Sequence, residues 1–177
     1  MGVTGKIRNE SQMAEAVARH IKGVCGVKLE DCIFDVVAYD KAMKLFKVVE
    51  CKLSFRPAGI GRTFGQVEAY YSVIADRGRD FVDAINKKLD FSFNELLEAT
   101  ANAQRIRIAF YVALTRQACK RVDLIRSLKR RLPNVGIIRV NPNSECRDYI
   151  RHHGLKDHEM ASATPITVRI LQSRTAK

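Results

Sequence analysis

An α/β fold, with a central mixed sheet flanked by helices, is predicted by two features of the chain. Short runs rich in Val, Ile, Phe and Tyr alternate with longer stretches whose apolar residues recur at helical spacing. Of the 177 residues, 46% are hydrophobic, enough for one substantial core, so the chain is read as a single domain over residues 1–177.

The first helix is expected over residues 10–22. Asn9 can cap it, with Gln12 at the third helical position, and Met13, Ala14, Val17 and Ile21 form its apolar stripe. Glu10 lies on the buried side of its start. It serves there either to complement the helix dipole or to supply an acid to a site beyond it.

A short strand is expected near residues 26–30. Residues 32–39 and 44–53 are apolar β-runs, and the four residues between them are short enough to close an antiparallel hairpin. Folding at that turn brings Asp35 opposite residues 48–50. Side chains alternate along a strand, so Glu50 and Lys52 share one face and Cys51 takes the other. Two carboxylates and an amine would thus sit on neighbouring strands, a set suited to a hard divalent cation beside a phosphate.

The loop over residues 54–62 contains Pro57, Gly59 and Gly61, and its Arg56 and Arg62 are either phosphate contacts or ordinary exposed arginines. A helix over 63–75 is expected to bury Phe64, Val67, Tyr71 and Ile74, with Gly65 allowing close backbone approach and Gln66 projecting from the first turn. Residues 77–105 read as a helical insertion, with one short helix over 80–87 and another over 92–102 capped by Ser92. Residues 106–114 suit a central strand. A helix over 117–132 follows, burying Ala118, Val122, Ile125 and Leu128 and ended by Pro133, and a strand over 135–140 comes next. The opposite helix face carries Arg116, Lys120, Arg121, Arg126, Lys129, Arg130 and Arg131, either a solvated face or a surface that tracks phosphates. The C-terminal extension, 141–177, is expected to add a short helix between residues 144 and 154 and an edge strand near 166–171.

These residues carry a resemblance. Phe34-Asp35 on one strand and Glu50-Cys51-Lys52 on the next resemble the paired motif of the PD-(D/E)XK nuclease superfamily, with Phe where that family often has Pro. Glu10 before the strands and Gly65-Gln66-Val67-Glu68-Ala69-Tyr70 after them are similar to its helix-borne acid and its glutamine helix. Over residues 9–140 the resemblance implies a restriction-endonuclease-like αβββαβ core, akin to archaeal Holliday junction resolvases and Mrr-like enzymes. It implies a metal-dependent deoxyribonuclease: Asp35, Glu50 and the Cys51 carbonyl holding Mg²⁺, with Mn²⁺ as a substitute, Lys52 acting on the attacking water, and Gln66 and Glu10 in support. The implied partner is DNA, contacted through Arg56, Arg62, Lys120 and Arg121. The chain would act as a homodimer in restriction, repair, recombination or defence. Two alternatives stand beside it: a non-cleaving nucleic-acid-binding or assembly subunit of the same fold, and an unrelated α/β protein in which these groups form a surface ion pair.

Charge agrees with an anionic partner. The net charge is +12, from 31 Lys and Arg against 19 Asp and Glu. No apolar run is long enough for a membrane span and no signal-peptide core is present, so a cytoplasmic location and no membrane association are expected. Five scattered cysteines without a Cys-x-x-Cys pair favour reduced thiols over a disulfide framework, and Cys146 with His152, His153 and His158 is not favoured as a zinc site.

Overall fold

A computed structural model describes residues 6–88, 105–148 and 163–169. Its elements follow the order α1 (Glu10–Ile21), β1 (Val24–Leu29), β2 (Cys32–Asp40), β3 (Leu45–Lys52), α2 (Gly59–Asn86), β4 (Arg105–Thr115), α3 (Arg116–Cys119), α4 (Val122–Arg131), β5 (Gly136–Val140), β6 (Cys146–Asp148) and β7 (Ile166–Arg169). The strands form one mixed sheet in the order β1-β2-β3-β4-β5-β6. β1, β2 and β3 are antiparallel neighbours, and β3, β4 and β5 run parallel. β7 lies antiparallel to the first half of β4, while β5 pairs with its second half.

Local chemistry sets the ends of α1. The Asn9 side chain accepts from Gln12 N at 2.8 Å, and Gln12 Oε1 accepts from Arg8 N at 2.8 Å, so two otherwise orphaned donors are satisfied. Lys22 closes the helix in the left-handed region (φ 56°), and Gly23 N donates to Ala18 O. Glycine is required next: a Cβ at Gly23 would lie 2.5 Å from Val37 O.

The sheet has a core on each face. α1 packs Met13, Ala14 and Val17 against Val36, Val49, Cys51 and Ile138. The larger core lies on the other face, beneath α2, α3 and α4, with Tyr70, Phe34, Phe81 and Phe46 in successive ring contact at 4.7 to 5.5 Å. In α2, Ile60, Thr63, Val67, Tyr70, Ile74, Gly78, Phe81 and Ile85 recur at three- or four-residue spacing and face the sheet.

Several expectations are corrected. α2 runs for 28 residues rather than 13, because the chain enters helix at Gly59 inside the expected loop and continues past residue 75. The helix expected over 80–87 is its second half, beyond a kink at Arg77 (φ −127°, ψ 34°), where the guanidinium is held by Glu30 and Asp80. Tyr70, not Tyr71, is the buried tyrosine, and a Cβ at Gly65 would meet nothing within 4 Å, so no close approach occurs there. The helix expected over 117–132 breaks at Lys120–Arg121; Leu124 is buried where Val122 is only partly so. Lys129 leaves the basic face altogether: it is buried, donating to Pro133 O at 2.9 Å and Val135 O at 2.5 Å, and burial lowers its pKa. After Ser144 the chain forms β6 rather than starting a helix. The helix expected over 92–102, and His152, His153 and His158, lie outside the described residues. No helix among the described residues is long and apolar enough to cross a membrane.

Candidate active site

The β2–β3 ladder pairs Val36 with Val49, and one step further along it ceases to be regular. There the Asp35 carboxylate accepts from Cys51 N at 2.7 Å, a side chain standing in for a ladder acceptor. On β2's other side Gly26, in the left-handed region at φ 60°, falls across from Asp35, between the Cys25–Val36 and Val27–Phe34 pairs. The face alternation slips by one residue at this point, since Phe34 and Val37 both join the larger core while Val36 joins the smaller. Only a residue tolerant of positive φ lets β1 follow that slip. A carboxylate is thereby brought to the place where the strands part.

Glu50 meets it there. Its face is the one covered by α2, opposite the buried Cys51, as the alternation of β3 requires. Glu50 is only 2% exposed, and both its oxygens are engaged: Oε2 accepts from the Tyr70 hydroxyl at 2.5 Å and Oε1 pairs with Lys52 Nζ. The Tyr70 hydroxyl also lies 3.0 Å from Ile33 O. Burial and the Glu50 charge push the Tyr70 phenol far up, so it stays protonated and donates.

The Asp35 and Glu50 carboxylates lie close enough to act on each other. Burial first, and then the charge of Glu50, raise Asp35 from 3.8 to about 6, against the opposing pull of the Cys51 N–H and Lys52. Burial works against the Lys52 charge, but Glu50, Glu10 and Asp35 together outweigh it and raise its pKa. Two carboxylates crowd one ammonium, leaving local negative charge uncompensated.

The supporting residues also converge. Glu10 Oε1 lies 3.4 Å from Leu53 N, and its charge reaches Lys52. Gln66, exposed in the second turn of α2, lies close enough to act on the Tyr70 phenol and so reaches Glu50 through it. Arg56 and Arg62 are exposed on the turn that leaves β3 and at the start of α2. Lys120 and Arg121 are exposed where α3 gives way to α4, and Arg121 pairs with Asp123 at 2.9 Å. Lys52 is in register with Leu114, so both basic pairs follow the same ends of two adjacent parallel strands.

Sequence reasoning missed the role of Tyr70. Its signal was present: Ile60, Thr63, Val67, Tyr70 and Ile74 keep a regular three-four spacing, and Tyr70 follows Gln66 by four residues.

Hard oxygen donors at this spot fit a divalent cation, since a positive charge would relieve the repulsion that Asp35 and Glu50 exert on each other. Among the described residues, no three His, Cys, Asp or Glu side chains converge as a metal group, so the protein would supply two carboxylates and backbone.

Compared with protein-family models, curated proteins and solved structures, the chain matched none of them.

Proposed function

We propose that this protein is a Mg²⁺-dependent endonuclease that hydrolyses phosphodiester bonds of DNA. The observation that carries the proposal is the crowding of Asp35 and Glu50 beside Lys52 where β2 and β3 part. The αβββαβ order, with an antiparallel β1-β2-β3 and β4 parallel to β3, supports a restriction-endonuclease-like core.

Asp35, Glu50 and the Cys51 carbonyl would hold the cation, which when bound acidifies water and offsets charge on the phosphoryl oxygens. Lys52 orients the attacking water and stabilises the charge that develops at phosphorus. Tyr70 fixes one Glu50 oxygen by donating to it, and Gln66 acts on the phenol from the preceding turn of α2. Glu10 adds an acid beside Lys52. Arg56, Arg62, Lys120 and Arg121 contact backbone phosphates, a role that suits the net charge of +12. A cytoplasmic homodimer acting in restriction, repair, recombination or defence completes the proposal.

One observation favours a second reading, a binding subunit that no longer cuts: Glu50 is almost fully buried and Lys52 already occupies one of its oxygens. Plasmid incubation with Mg²⁺ separates the two. The nuclease reading expects cleavage that falls at least about a hundredfold in Lys52→Ala, the loss typical of removing one preorganised donor. No cleavage of duplex, branched or single-stranded DNA by the folded protein would refute it. A calorimetric Mg²⁺ site that vanishes in Asp35→Asn is expected only if the carboxylates hold the cation.

A further inference from the structure

Arg139 and Arg147 face each other directly across the antiparallel β5–β6 pair. Like charges in that position oppose pairing. Arg139 shares the larger-core face with Ile137, its neighbour but one, and opposed residues of an antiparallel pair project to the same face. The Nε of Arg139 is buried and has no hydrogen-bond partner. A buried donor without an acceptor is uncommon and calls for an explanation. The guanidinium lies near the end of α3, for its charge is felt by the Cys119 thiol, which burial pushes up. Among the described residues counter-charge is sparse here: Glu145 reaches Arg147 only at 4.0 Å, and Asp123 is engaged by Arg121.

The placement of the pair relative to Lys52 is what gives it meaning. Lys52, Leu114, Arg139 and Arg147 are successive register partners across β3, β4, β5 and β6, one row perpendicular to the strands. Lys52 and Arg139 stand two strand spacings apart, about 10 Å. Phosphates of one duplex strand are separated by the helical turn as well as by the rise of about 3.4 Å, so that span reaches roughly one to two nucleotides along the strand. Leu114, between them, is fully buried, and the segment that follows it adds exposed Arg116 and Lys120.

We infer that Arg139 and Arg147 form a phosphate-binding fork for the DNA backbone, roughly one to two nucleotides from the bond beside Lys52. The inference rests on the nucleic-acid reading but not on cleavage. A phosphate between the two guanidiniums relieves their repulsion and gives the buried Nε its acceptor, with the bidentate geometry that arginine offers.

The test is anisotropy of a fluorescein-labelled DNA duplex in EDTA across a salt series, with the full chain. Arg139→Gln and Arg147→Gln are each expected to weaken binding and to reduce the slope of log K against log salt by about 0.9, one lost phosphate contact. Lys28→Gln makes the same charge change on exposed β1, at the other edge of the sheet, and should leave the slope unaltered. Should Arg139→Gln fail to fold, Arg147→Gln, exposed on an edge strand, decides alone. Slopes and affinities equal to those of Lys28→Gln, or no duplex binding by the unaltered protein, overturn the inference. Cleavage in Mg²⁺ is scored separately. A protein that binds through the pair without cutting keeps the fork and loses the nuclease, and one that cuts with both variants neutral does the reverse.

Discussion

Replacing Asp35 with Asn should make the metal-free protein more stable while removing the function proposed for it. Asparagine keeps the shape, can still accept from Cys51 N, and can donate to Glu50, so the contacts survive and only the charge goes. A carboxyl raised from 3.8 to about 6 in the folded state is one whose ionisation opposes folding. The full shift corresponds to about 3 kcal/mol. Asp35 is half-buried, so solvent screening reduces this to about 1 to 2 kcal/mol. The sign follows from proton binding: between those two values the folded state holds more protons than the unfolded one, so stability falls as pH rises. The favourable contribution is fully present below about pH 3.8 and is lost as pH passes 6. Urea unfolding in EDTA at pH 8 should therefore show Asp35→Asn more stable by about 1 to 2 kcal/mol, or about 2 to 8 °C in melting temperature for a chain of this size. The advantage should shrink through pH 6 and be gone near pH 4. An Asp35→Asn protein equal to or weaker than the parent at pH 8 would refute the reasoning, because burial of the carboxylate and its crowding by Glu50 would then carry no cost.

Other substitutions test the shell around this pair. Tyr70→Phe leaves a buried Glu50 oxygen without its donor and should cost about 1.5 to 3 kcal/mol, lowering the melting temperature by about 3 to 12 °C, whereas exposed Tyr71→Phe should change little. Gly23→Ala drives a methyl into Val37 O, and chemical denaturation should show a loss of about 1 to 3 kcal/mol. Lys129→Met strips the Pro133 and Val135 carbonyls of a buried donor, and a loss of about 1 to 3 kcal/mol by the same assay is expected, where a surface lysine would cost almost nothing.

The hairpin was legible because its information is local. Period-two alternation in residues 45–52 puts Glu50 and Lys52 on one face wherever the strand is laid, and the short turn after Asp40 sets a register that carries Asp35 to Glu50. Asn9 and Gln12 likewise announce the start of α1 through contacts four residues long or less. The phase of α2 was harder to read, since Val67 and Ile74 fit a stripe containing Tyr71 as well as one containing Tyr70. The sheet surface and the Phe34 ring, both distant in sequence, choose between them. Lys129 misled for a related reason: a lysine on a basic helix is read as exposed unless one knows that two carbonyls past the helix end curl back to meet its amine.

The order of elements from α1 to β3, the strand pair that carries the acids and the basic character of the chain were thus determined by the sequence alone, because propensity, alternation and charge act between near neighbours. Tertiary structure decided the closing of Glu50 under Tyr70, the strand slip at Gly26 and Asp35, and the row that joins Lys52 to Arg139 and Arg147. Each of these depends on which strands lie side by side and in what register. That choice is made by burial of two cores at once, and no window of consecutive residues contains it.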